Sequence, residues 1–116
     1  MSRSQEKQLV LDWHAALNAG DIARLLSLCA DDVEVGGPRG ISRGRNILED
    51  WVARANIRLR PGRIEQYGTS VIVEQRAAWS DGEPQPVGSV FEVRDGVVAR
   101  VIRYPDFKSA LEAVHA

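Results

Sequence analysis

Residues Ser89–Tyr104 read SVFEVRDGVVARVIRY, two runs of β-branched and aromatic residues on either side of Asp95-Gly96. An Asp-Gly pair suits a two-residue type I′ turn, because both central residues of that turn need positive φ. Val, Ile and Phe fit a pleated, half-buried surface. The stretch predicts a long antiparallel hairpin, from about Gln85 to Tyr104, at the centre of a sheet.

Outward toward the N-terminus, residues 69–80 alternate. Val71, Val73, Gln75, Ala77 and Trp79 fall on one face, and Ile72, Glu74, Arg76 and Ala78 on the other. Residues 57–67 form another predicted strand, broken or at an edge around Pro61-Gly62, because proline cannot donate to a central ladder. Toward the C-terminus, Pro105-Asp106 ends the last strand. Asp106 caps a predicted short helix over 107–114 that packs back through Phe107, Leu111 and Val114.

The first third of the chain reads as helical. Ser2 with Gln5 fits a capping box. Leu9, Trp13, Ala16 and Leu17 recur at helical spacing until Gly20 ends the run. Asp21 then caps a second helix, with Ile22, Leu25, Leu26 and Cys29 facing inward and an end near Ala30. Asp31-Asp32 turns into a short strand over 33–35. A loop over 36–40 holds three glycines and a proline. It lacks the G-x-x-x-x-G-K spacing of a phosphate cradle. Ser42 or Gly44 caps a third helix running to about Ala55, whose stripe is Ile47, Leu48, Trp51 and Val52. Helices come first and strands follow, which implies an α+β class with helices on one face of a curved antiparallel sheet.

The totals narrow the function. A chain of 116 residues suits one domain spanning residues 1–116, with no repeat or linker to divide it. The net charge of −1 gives no field to draw nucleic acid or an anionic membrane, although 13 of the 15 basic residues are Arg. One cysteine, Cys29, excludes an internal disulfide and reads as a buried, inert thiol. No leader pattern and no membrane-length apolar run are evident, so a cytoplasmic protein is expected.

Few residues carry obvious chemistry. His14 and His115 are the only histidines. His14 sits about 100° round the helix from Trp13, so a partly exposed structural role is expected. Two His and one Cys at these separations give no metal-ligand spacing, so no metal and no cofactor are predicted. Asp31 and Asp32 are explained by turn chemistry. Trp13, Trp51 and Trp79 are core aromatics or pocket walls with an indole N–H to offer a ligand. Arg100 and Arg103 lie on opposite faces of the last strand. Whichever points inward must be paired or must meet an anion, and the pattern leaves open which one does.

Three segments carry a resemblance to a known family: Ala15-Ala16-Leu17-Asn18-Ala19-Gly20-Asp21; Ala30-Asp31-Asp32-Val33 leading to Gly40 and to Gly44-Arg45-Asn46-Ile47; and residues 91–98 running on to Tyr104 and Asp106. In this order, over nearly the whole chain, they resemble the nuclear transport factor 2-like superfamily, with its SnoaL-like and ketosteroid isomerase-like members. The resemblance implies a cone-shaped, mostly antiparallel sheet packed on the N-terminal helices, a cystatin-like α+β barrel. It also implies a largely apolar pocket and a homodimer through the outer sheet face.

Isomerase-like members use a tyrosine and an acid to hold a developing enolate, and an aspartate to move the proton. By the matching motifs these positions fall on Trp13, Ser89 and Gly37. Gly37 has no side chain to take a proton, indole cannot accept one, and a serine hydroxyl lacks a carboxylic acid's strength. The catalytic residues are therefore unassigned, and so is any reaction. The expected function is small-molecule binding in a pocket lined by Trp13, Leu17, Val35, Trp51, Ser89, Phe91 and Arg103, for a small apolar or acidic ligand. The alternative is a non-catalytic homodimerising association module with a filled interior.

Overall fold

The computed structural model describes residues 3–37, 40–55, 58–78 and 83–115. The Ser2 cap, the Pro38-Arg39 part of the glycine-rich loop, Trp79 and the turn at residues 80–82 lie outside the described residues. The elements run α1 (Arg3–Ala19), α2 (Ile22–Ser27), β1 (Cys29–Gly37), β2 (Gly40–Arg43), α3 (Arg45–Ala55), β3 (Arg58–Tyr67), β4 (Ser70–Ala78), β5 (Gln85–Arg94), β6 (Val97–Tyr104) and α4 (Phe107–His115).

The hairpin forms as the Asp-Gly pair dictates. Asp95 takes φ 55° and Gly96 φ 80°, and β5 pairs antiparallel with β6 from Gly88↔Tyr104 to Arg94↔Val97. A bulge between Glu92 and Val93 shifts the β6 partner from Arg100 to Val98. It puts Val98, Val101 and Arg103 on one face although their spacing is uneven. Neighbouring β4 aligns Val71↔Phe91, Val73↔Ser89 and Gln75↔Val87, and β3 aligns Leu59↔Ala77 and Ile64↔Val73 across a bulge after Pro61. The Pro61-Gly62 irregularity therefore sits on an edge strand, where a missing donor costs no ladder bond.

Two expectations about shape are overturned. The sheet order is β2-β1-β6-β5-β4-β3, so β2 and β3 are opposite edges and the sheet is open: neither a cone nor a cystatin-like barrel. The short β2, four residues exposed throughout, pairs only with β1 in that order and cannot close the ring. The sheet is also mixed, because β1 runs parallel to its neighbour β6. The second correction concerns the helices, which cover both faces. α1, α2 and α3 pack Val10, Trp13, Leu17, Leu25, Leu48 and Val52 against Val71, Val73, Phe91 and Val98. On the opposite face, α4 packs Phe107 and Ala110 against Ile72 and Val90. The chain crosses over at Gly88, where a Cβ would stand 2.5 Å from the Asp106 carbonyl oxygen.

Polar side chains lock the inner layer to the sheet. The Asn18 amide donates to the Leu59 carbonyl at 2.8 Å, and the Leu59 N–H donates back to Asn18 Oδ1 at 2.9 Å. The end of α1 thus pairs with an edge strand as another strand would. Arg45 donates to the Cys29 carbonyl at 2.8 Å and pairs with Asp31 at 2.8 Å, tying the start of α3 to β1. Asp21 caps α2 by accepting from the Arg24 N–H, and Asp106 caps α4 by accepting from the Ser109 N–H.

Candidate functional site

Between the inner helices and the sheet lies a cavity of about 250 Å³. Trp13 reaches it from α1, and Ile47 and Trp51 from α3. Val35 and Gly36 line it from β1, Leu59 from β3, and Val101 from β6. Its polar wall consists of Ser89 on β5, Arg103 on β6 and Ser42 on β2. Ser42 is exposed and marks the solvent side. Ser89 and Arg103 are cross-strand partners, so their side chains rise side by side from the floor.

Five of the seven residues expected to line a pocket therefore surround this cavity: Trp13, Val35, Trp51, Ser89 and Arg103. Leu17 and Phe91 do not. Both are fully buried in the core, and Phe91 stands edge-on to Trp13, with ring centroids 5.0 Å apart. Of the two arginines whose direction the pattern leaves open, Arg103 is on the cavity side. Arg100 is on the outer face, where its Nε lies 3.3 Å from Glu34. Glu34 also accepts from Arg43 at 2.7 Å on that face. The arginine ends of these outer ion pairs are exposed and Glu34 is half-buried, so the pairs contribute only modest stability.

Trp13 differs from its expected role in one respect. Its indole nitrogen is buried and makes no hydrogen bond among the described residues, although the Cys29 sulfur is near enough to feel it. It acts on the Cys29 sulfur, whose ionised form it favours. Burial outweighs that effect and pushes the Cys29 thiol up to about 11, so the thiol stays protonated and inert.

His14 is a clearer correction. It is fully buried rather than partly exposed, edge-on to Trp13 and tilted against Phe91. It belongs to a polar chain that the sequence did not announce. His14 Nδ1 lies 2.7 Å from the Val10 carbonyl oxygen, and Nε2 lies 2.7 Å from the Gln75 amide nitrogen. Ser89 Oγ donates to Gln75 Oε1 at 2.6 Å. Every member is at most 3% exposed. Desolvation lowers the His14 pKa to about 4, against an opposing contribution from the Val10 carbonyl, so the ring is neutral at pH 7. One signal was available in the sequence: Gln75 sits between Val73 and Ala77 on the apolar face of β4, and a polar group there must find a partner.

No lining residue among those described is an Asp, Glu, Tyr or His. The positions the resemblance reserves for proton handling hold Trp13, whose N–H is buried, Ser89, whose proton goes to Gln75, and Gly37 at the end of β1. Among the described residues there is also no cluster of His, Cys, Asp and Glu able to hold a metal ion. Among the described residues, no helix is long and apolar enough to cross a membrane.

Helices over an open six-stranded α+β sheet, with an apolar cavity between the layers, place the chain in the nuclear transport factor 2-like class. The SnoaL-like domain model matches residues 10–101, and the chain belongs to that family. No curated protein matches it in sequence. Among solved structures, a presumed polyketide cyclase from Xanthomonas campestris is 26% identical, with TM-score 0.78 over 92% of this chain and 94% of that one. An NTF2-like protein of unknown function from Cytophaga hutchinsonii aligns with TM-score 0.80 at 15% identity, over 91% and 94% of the two chains. TerC, co-crystallised with polyporic acid, aligns with TM-score 0.78 at 20% identity, over 97% and 99%. The last two likenesses concern the fold alone.

Proposed function

We propose that this protein binds a small, largely apolar molecule in the cavity between its helices and its sheet, with Trp13, Val35, Trp51, Ser89 and Arg103 as contact residues. The observation that carries this reading is a cavity of about 250 Å³ walled mainly by Trp, Val, Ile and Leu, with Ser89 and Arg103 paired on its floor and Ser42 at its solvent side. An apolar cavity of about 150 Å³ already admits a benzene ring, so this one has room for a ring system with a polar substituent. Arg103 carries a permanent charge on the cavity floor and is already engaged within the protein; an acidic group on a ligand would add to that engagement. TerC's co-crystallisation with polyporic acid is in keeping with a ring-shaped acidic ligand in this fold.

The reading does not include proton transfer by the isomerase mechanism. A base next to a carbonyl must be able to hold the proton, and the described cavity wall offers no carboxylate or imidazole.

Thermal-shift screening against aryl acids, ketones, phenols and steroids tests the proposal. A ligand present at a hundred times its Kd stabilises by about 2.7 kcal/mol, several degrees in Tm for a chain of this size. At least one class is expected to respond, and Arg103→Gln is expected to weaken the acids more than their neutral analogues. Silence across the panel from a protein that is a stable dimer would replace this reading with the association module.

A further inference from the structure

We infer that Ser89 is a fixed hydrogen-bond acceptor in the cavity wall, and that the matching ligand is a small apolar molecule bearing a phenol or enol hydroxyl. This inference rests on the pocket reading above. Its basis is the direction of the buried chain behind Ser89, which is set at the far end. The Val10 carbonyl oxygen can only accept, so Nδ1 of His14 carries the ring proton. A neutral imidazole has one N–H, which leaves Nε2 as an acceptor for the Gln75 amide nitrogen. The Gln75 oxygen then faces Ser89, and only the serine hydroxyl has a proton to place there. The backbone anchor removes the freedom that amide and imidazole orientation otherwise has. Burial keeps the chain dry, with His14 and Gln75 each 1% exposed, so water does not compete to reverse it.

Ser89 has one proton, and Gln75 takes it. What remains for the cavity is lone pairs. A ligand ketone or ether oxygen placed against Ser89 would set acceptor against acceptor, and both would lose water without gaining a bond. A ligand O–H completes the chain. The preference is opposite to what the resemblance implies for this position, where an acid donates to a developing enolate oxygen. His14 and Gln75 touch no ligand; they are positioning residues that set the polarity of Ser89.

The test uses one ring in three forms: 2-naphthol, 2-methoxynaphthalene and 2-acetylnaphthalene, with binding to the full chain measured by calorimetry. 2-Naphthol is expected to bind about tenfold more tightly than either other compound. Ser89→Ala is expected to abolish that preference while retaining ring binding. His14→Phe is expected to shrink it, because Gln75 can then turn its amide nitrogen toward Ser89; a purely structural change would weaken all three compounds alike. Equal affinities in the wild-type protein overturn the inference and leave the pocket reading standing. The inference also falls, and the pocket reading stands, if none of the three binds although other compounds in the thermal-shift panel do. Binding by nothing in either set overturns both. Nitrogen-15 NMR of the unaltered protein is an independent check. The Nδ1–H tautomer is expected for His14 at neutral pH, and an Nε2–H tautomer overturns the inference whatever the variants do.

Discussion

His14 shows how one residue can carry a cost that is visible only as a function of pH. Its folded pKa is about 4 against an ordinary 6.5, and burial is the larger cause. Between those values the unfolded chain binds a proton that the folded chain refuses. Stability is therefore full above about pH 6.5, falls as the pH drops toward 4, and levels off below. The complete difference amounts to about 3 kcal/mol. Urea midpoints measured between pH 4 and 7 should show this slope, and His14→Phe should flatten it. An imidazole that titrates near 6.5 by NMR in the folded protein would show that the ring is not sealed as the geometry describes. A partial warning lies in the sequence: Val10, Trp13 and Leu17 place His14 within a broad apolar face of α1, where a neutral, bonded imidazole is the form that fits.

At the scale of elements, what was legible depended on local chemistry. The β5–β6 hairpin could be read because Asp95 and Gly96 tolerate positive φ where other residues resist it. Gly96→Ala is expected to cost about 1–2 kcal/mol, the strain of a Cβ at φ 80°, with the cavity unchanged. Chemical denaturation measures it, and a neutral result would mean that the turn relaxes to another type. β2 could not be read because its four residues are all exposed and carry no alternation. The pattern makes β1 too short and α2 too long, because Leu25-Leu26-Ser27-Leu28-Cys29 is apolar in either conformation. The helix stops at Ser27 and the strand opens at Cys29. α4 was legible as an amphipathic helix, but its side of the sheet was not: β4 and β5 carry Ile72 and Val90 outward as well as Val71 and Phe91 inward.

The whole molecule is one sheet with a packed layer on each face, and no pattern along a single strand reveals whether such a sheet closes. Closure is a property of its edges, and here β2 and β3 stand at opposite ends of the order. Of the cavity's ten lining residues, Trp13, Val35, Trp51, Ser89 and Arg103 were expected at a pocket, whereas Gly36, Ser42, Ile47, Leu59 and Val101 meet there only through the tertiary fold. The chain behind Ser89 was not legible, because it joins α1, β4 and β5 through tertiary contacts alone. Two layers on opposite faces should also be energetically separate. Leu17 is fully buried on the inner side and Phe107 nearly so on the outer, in clusters that share no residue. Leu17→Ala is expected to cost about 2–5 kcal/mol through the space it leaves, and Phe107→Leu about 1 kcal/mol. Because the two residues lie on opposite faces of the sheet, with no shared partner, the double variant should lose the sum to within about 0.5 kcal/mol. Only Leu17→Ala should disturb ligand affinity, since only Leu17 packs in the layer that holds the cavity. Urea denaturation of the four proteins completes the cycle. A coupling above about 1 kcal/mol would mean that the sheet transmits strain from one face to the other, and that α4 helps shape the cavity it never touches.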